Sequence, residues 1–252
     1  MRKHYLKKIK LFVMIFWPIL VTQVSYNAMN VVDTMMSGRA GTDDLAGVAI
    51  GSSLWMPILT GFNGILLAVS PTVAQYLGGG KRHLVARSVT QALYLTVLLA
   101  VFVVLAGGFI LDGLLSLMKL DPDVHHIAKH YLIGLSFGLW PLFAANVLRY
   151  FFDAQGFTRI TMVITVLAVP ANFVLNYSFI FGNFGMPALG GIGAGYATAL
   201  TYWLIFLVSL IVTFKVKVLR EYRLFLTWFR PSITAWRDQL KLGVPIGLST
   251  FF

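Results

Sequence analysis

The chain has 252 residues, 58% hydrophobic and 12% charged, with a formal net charge of +11 and no cysteine. Soluble domains are roughly 45–50% apolar and a quarter charged, so this composition excludes a disordered chain, a coiled coil, a collagen and an ordinary cytosolic enzyme, and it fits a polytopic membrane protein. The lack of cysteine removes disulfides, Cys–metal sites and a Cys nucleophile, and the basic excess sits in short runs between apolar segments, which argues against nucleic-acid binding.

A helix needs about 20 mostly apolar residues to cross the hydrocarbon core. Six complete spans are expected in chain order, over roughly 11–36, 45–77, 88–117, 127–152, 160–182 and 192–214. A seventh apolar stretch opens near residue 240. Several of these exceed about 25 residues and should tilt, bend or extend past the bilayer. Pro18, Pro57, Pro71, Pro141 and Pro170 lie inside spans, where neighbouring helices can satisfy the carbonyl each one frees.

The loop charges alternate. Seventeen of the 20 basic residues fall in the N-terminus, the second–third connection, the fourth–fifth connection (Arg149, Arg159) and the stretch after the sixth span. Arg39, Lys119 and Lys129 share the opposite side with Asp43, Asp44, Asp112, Asp121 and Asp123. This alternation predicts a cytoplasmic N-terminus and supports the span count independently of hydropathy. The basic start and the run Leu11–Val21 imitate a signal peptide, but no small-x-small site follows, so a span is expected instead. Residues 215–241 are basic and aromatic (Tyr222, Trp228, Phe229, Trp236) and read as an interfacial connector on the inner leaflet.

Lys10…Pro18-Ile19…Thr22 and Lys241…Pro245-Ile246…Ser249 share a pattern, offset by 227 residues. Two such units suit a transporter of parallel six-span halves. The expected fold is therefore an all-α membrane protein. Its six-helix transmembrane lobe spans 1–218, a cytoplasmic connector 219–239, and the start of a seventh helix 240–252.

Asp33, in Asn30-Val31-Val32-Asp33-Thr34, is the ionisable residue most clearly inside a span. A carboxylate at a helix centre costs of order 2.5–3.5 kcal/mol on insertion scales, and it persists where it faces a polar cavity, binds a cation or takes a proton. The plain alternative is a carboxylate wetted by headgroups near the helix end. Asn172 and Asn176 are four apart on the fifth span and share a face. Their amides suit a hard cation or a carboxylate, against simple interhelical bonding. Thr198 and Tyr196 on the sixth span fall at a depth facing that pair, and Gln23, Tyr26, Asn63 and Gln75 are weaker cavity candidates.

Gly47-x-x-x-Gly51 and Gly191-x-x-x-Gly195 read as packing motifs. Gly134-x-Ser136-x-Gly138 imitates a hydrolase elbow, but it lies in a span without the strand–turn–helix context. His125, His126 and His130 have ligand-like spacing yet fit a solvated outer loop better than a metal site.

Taken together, Pro18…Asp33-Thr34 on span one, Gln75-x-x-Gly78-x-Gly80 closing span two, Asn172-x-x-x-Asn176 on span five and Gly190-Gly191-x-Gly193 opening span six resemble the multidrug and toxic compound extrusion (MATE) transporters, nearest the bacterial NorM-like branch. The resemblance covers the whole chain as an N-terminal lobe. It implies twelve helices in two lobes, and secondary active antiport that expels organic, often cationic, compounds in exchange for Na⁺ or H⁺. It implies no enzyme activity and no cofactor beyond that coupling ion. It matches Asp33, Asn172 and Asn176 to the cation site and Pro18 to a helix-bending proline. The helix-six contribution is less direct, since Gly190 and Ala194 offer only backbone oxygens, and Thr198 is the expected substitute.

Expected partners are organic cations or drugs, membrane lipids and a C-terminal lobe, without which alternating access fails. The expected location is a bacterial inner membrane. The rival readings are a flippase for lipid-linked precursors, which would want basic residues deep in a span, and a membrane scaffold, which would not need Asp33.

Overall fold

The computed structural model describes residues 2–225, 227 and 229–249, with the side chains of 2–7 and 11 left aside. Trp228 of the expected connector and residues 250–252 of the expected seventh helix lie outside the described residues.

The described residues form helices α1 (Arg2–Ala40), α2 (Thr42–Leu67), α3 (Val69–Gly78), α4 (Arg82–Leu117), α5 (Pro122–Ser136), α6 (Leu139–Ala154), α7 (Thr158–Phe181), α8 (Gly191–Lys215), α9 (Lys217–Arg220) and α10 (Ile233–Ser249). Five segments are long and apolar enough to cross a membrane, with α2 and α3 counted as one. The pair α5–α6, bent by 48°, makes a sixth. Short connections between successive spans set them antiparallel. One end of the bundle, here the basic end, carries Lys81, Arg82 and Arg220, and the other, the acidic end, carries Asp43, Asp44 and Asp121.

Of the five span prolines, two coincide with breaks and three do not. Pro71 and Pro141 each stand third in a new helix, just past the interruptions at Ala68 and at Phe137–Gly138. A proline removes the donor that would bond the carbonyl four residues earlier. For Pro141 that carbonyl is Phe137 O, and the Trp203 indole Nε1 of α8 donates to it at 3.0 Å. Pro18, Pro57 and Pro170 lie within continuous helices. Pro18's own carbonyl accepts the Thr22 hydroxyl at 2.9 Å.

The centre of the lobe is α6. Twelve of its 16 residues are buried, as in a helix enclosed by others. Around it lie α2, α3, α4, α7 and α8. α4, in contrast, turns Phe102, Leu105 and Phe109 outward, as a lipid-facing helix does.

Small residues set the closest approaches. A methyl on Gly51 would strike the Tyr131 ring, and one on Gly195 the Tyr131 backbone carbonyl. Both glycine pairs are therefore packing seams, with Gly47, Gly51 and Gly195 against α5 and Gly191 against α2. Gly134 and Gly138 meet the Gly195–Tyr196 and Ala199 backbone of α8, while Ser136, half-buried, donates to Ile133 O at 2.6 Å. The hydrolase-like motif is thus a helix-packing motif at a bend.

Candidate functional site

Three helices bring the site together. α1 crosses α7, α7 packs on α8, and α8 also touches α1. Asp33, Asn172, Asn176 and Thr198 meet at this junction, and Asp33 is only 3% exposed. Asn176 Nδ2 donates to Asp33 Oδ1 at 2.6 Å, and Thr198 Oγ1 donates to Oδ2 at 2.7 Å. Asn172 Oδ1 receives Asn176 Nδ2 at 3.1 Å, and its own Nδ2 points at the hydroxyls of Thr198 and Thr201, each 3.4 Å away.

Sequence reasoning missed Thr201. It is fully buried and one turn beyond Thr198, and that three-residue spacing was the available signal. Asn176 Oδ1 is buried and has no partner. Among the described residues no Lys, Arg or His lies within 4.0 Å of Asp33, the ion pairs being Lys129–Asp112 and Arg149–Asp153. The arrangement is therefore a buried carboxylate with two neutral donors, a spare amide oxygen and no counter-cation. A carboxylate so placed is one that can take a proton or hold a metal cation.

The tentative cavity residues separate. Tyr196 does not face the asparagine pair. It lies two residues, about 200° of helix, from Thr198, and it stacks on Phe137 at 6.0 Å. Gln23 is exposed on α1. Asn63 Oδ1 accepts Asn146 Nδ2 at 2.7 Å, tying α2 to α6.

Tyr26 is half-buried, with the Arg149 guanidinium 5.7 Å from its ring. Arg149 was expected in a loop. It stands instead in the last turns of α6, its side chain 19% exposed and its Nε 3.7 Å from Asp153 Oδ2. Asp153 Oδ1 in turn accepts Thr161 Oγ1 of α7 at 3.0 Å. A basic residue therefore does sit inside the lobe, paired and near the basic end.

Two structural roles also went unread. Asp44, in the first turn of α2, accepts the Gly191 N–H at 2.6 Å and so caps α8. Gly190 just before it has φ 57°, and a methyl there would collide with the Asp44 carboxylate. At the basic end, Gln91 of α4 holds the connector. Its amide bonds Arg230 O and Ser232 N, each at 2.8 Å, and its carbonyl takes the Trp236 indole at 3.1 Å. The connector is thus hydrogen-bonded into the lobe rather than resting beside it. α10 begins at Ile233, within the stretch read as connector.

His126 and His130 lie with ring centroids 4.0 Å apart, and no group of three or more His, Cys, Asp or Glu side chains placed to hold a metal occurs among the described residues.

Residues 18–178 match the MatE family model. The chain is 50% identical over 246 residues, 98% of its length, to a probable multidrug resistance protein NorM of Bacillus subtilis, and covers 54% of that protein. It is 52% identical over 238 residues, 94% of its length, to a protein of the same description in Geobacillus kaustophilus, and covers 52% of it. In structure it resembles an outward-facing multidrug resistance MATE family transporter, with TM-score 0.82 and 24% identity over 96% of this chain and 52% of the other. A eukaryotic MATE transporter aligns with TM-score 0.85 and 21% identity, over 96% and 53%. At those identities the structural matches speak for the fold. The chain spans about half the length of the relatives it matches.

Proposed function

The chain belongs to the MatE family, and on that footing we propose that it is the cation-binding lobe of a secondary active multidrug efflux transporter. Organic, often cationic, compounds leave as Na⁺ or H⁺ enters. Asp33 is the coupling group, with Asn172, Asn176 and Thr198 around it. The lobe is residues 1–218, its basic end faces the cytoplasm of a bacterial inner membrane, and a second lobe completes the pathway. Gln23 and Asn63 belong to the substrate-facing surface.

The observation that carries this reading is the burial of Asp33 without a counter-cation, between two neutral donors. A scaffold would gain by replacing such a carboxylate with an apolar side chain. A proton on Asp33 weakens its hold on Asn176 and Thr198, whereas a Na⁺ there reorganises that hold around itself. That hold joins α1 to α7 and α8, so ion occupancy changes how firmly α1 is seated, and the Pro18 turn is where α1 yields most easily.

Ethidium efflux from cells producing the gene product, as the cell makes it, tests the proposal. Asp33→Asn should abolish efflux driven by a Na⁺ or proton gradient while the protein still reaches the membrane. Unchanged efflux would remove Asp33 from the mechanism. Replacing Na⁺ by choline, or collapsing the pH gradient, identifies the ion.

A further inference from the structure

Hydroxyls in a membrane helix ordinarily donate back to the carbonyl one turn earlier. Thr22, Ser25, Thr34, Thr165, Thr201 and Thr213 do so at 2.6–2.9 Å. Ser37 does not. Its side chain is fully buried, and its Oγ has no partner. It stands one turn past Asp33 on α1, toward the acidic end, and so on the same face.

Two buried side-chain oxygens among the described residues lack a partner, Ser37 Oγ and Asn176 Oδ1. The other unpartnered buried atoms are nitrogens. Asn176 donates its amide N–H to the Asp33 carboxylate, which places its spare oxygen beside that group too. Leaving a buried polar group unsatisfied costs about 1–3 kcal/mol. One of these oxygens belongs to the amide bonded to the Asp33 carboxylate, the other stands one turn along α1 from it, and all are hard donors.

We propose that Ser37 Oγ is a direct ligand of a metal cation of Na⁺ type held by the Asp33 carboxylate and Asn176 Oδ1. This rests on the reading of Asp33 as a cation site and adds a residue that neither the asparagine spacing nor the family motif points to. Hard cations hold oxygens at about 2.3–2.6 Å, so one ion bridges oxygens roughly 5 Å apart, which is the offset of neighbouring turns. Ser37 lies on the acidic-end side of Asp33, so an ion arriving from that end meets it first. The ion exchanges water oxygens for the carboxylate, the amide oxygen and the hydroxyl, and no bond to carbon changes.

The test is thermal unfolding of the purified gene product, as the cell makes it, against NaCl, with choline chloride holding ionic strength constant. A ligand that binds the folded state raises the midpoint with its concentration. Na⁺ should stabilise the wild type, and Asp33→Asn should lose that response. Ser37→Ala should raise the half-saturating Na⁺ about tenfold, the usual effect of one lost contact to a charge. In choline alone it should unfold no earlier than the wild type, since it removes an unsatisfied hydroxyl. Ser37→Thr, which keeps the hydroxyl, should retain the Na⁺ response. A Ser37→Ala titration superimposable on the wild type overturns the role of Ser37 and leaves the Asp33 site standing. A wild type that shows no Na⁺ response removed by Asp33→Asn overturns metal binding at Asp33, and this proposal with it.

Discussion

Asp44 shows how one side chain can serve two helices. It lies in the first turn of α2, where a negative charge suits the helix dipole, and its Oδ1 also takes the first N–H of α8. Asp44→Ala should cost about 0.5–2 kcal/mol, the usual loss for a cap. Asp44→Asn, which keeps an acceptor, should recover most of it, and the unfolding midpoints of the two variants are the check. Tyr26 and Arg149 make the matching contact near the basic end, joining α1 to α6 through a ring and a guanidinium. A double-mutant cycle of Tyr26→Leu and Arg149→Met should give a coupling of about 0.5–2 kcal/mol, and Tyr26→Phe should keep it. Additivity of the two single changes would show that the contact contributes nothing. At this scale the candidate site was partly legible. A carboxylate in an apolar run and two asparagines four apart stand out in any reading. Ser37 does not, because a buried hydroxyl in a membrane helix usually satisfies itself on its own backbone and only its surroundings reveal otherwise. Thr201 does satisfy itself so, its place beside Asn172 being set by the packing of α7 on α8.

Helices here meet through glycine, and the closeness of approach makes a strong contrast between positions. At Gly195 an added methyl would overlap the Tyr131 carbonyl of α5, whereas at Gly107 nothing lies within 4 Å. Gly195→Ala should therefore destabilise the lobe by about 1–3 kcal/mol through overpacking. Gly107→Ala should be neutral or stabilising, since it restricts the unfolded chain and favours helix. Thermal unfolding of the two variants side by side decides it, and equal midpoints would refute the close seam. The element scale was also where the sequence was most readable. Apolar length fixes span number because each backbone polar group must be satisfied inside the bilayer. The break in the fourth span was not foreseen, although Gly138 and Pro141 mark it. Five prolines looked alike in the sequence, yet only Pro71 and Pro141 stand at breaks.

At the scale of the whole molecule, the connector is the feature that decides how α10 is placed. One glutamine holds both strands of the turn before α10, while Tyr94 and Thr90 on neighbouring turns of α4 bond Phe229 O and Leu224 O at 3.2 Å. α10 then packs on α2, where Gly243 meets the backbone of Ile65 and Gly247 that of Gly61. Gln91→Leu should free the connector while leaving the helices intact. Trypsin should then cut after Arg223, in the connector, several-fold faster in the variant, with little change in helicity. Equal cleavage rates would mean that the strap is held by something else.

Amino-acid order alone determined the all-α membrane fold, the span count, the alternation of charge between the two ends and the candidates Asp33, Asn172, Asn176 and Thr198. Those properties are sums over local composition or repeats along one helix, and the bilayer makes such sums decisive. Tertiary structure alone decided that Tyr196 faces away from the site, that Arg149 is paired inside the lobe, that Asp44 caps α8 and that Gln91 grips the connector. Each of these depends on the rotation of one helix about its axis against another. Hydropathy cannot encode that rotation, because a helix surrounded by lipid and by other helices is apolar on nearly every face.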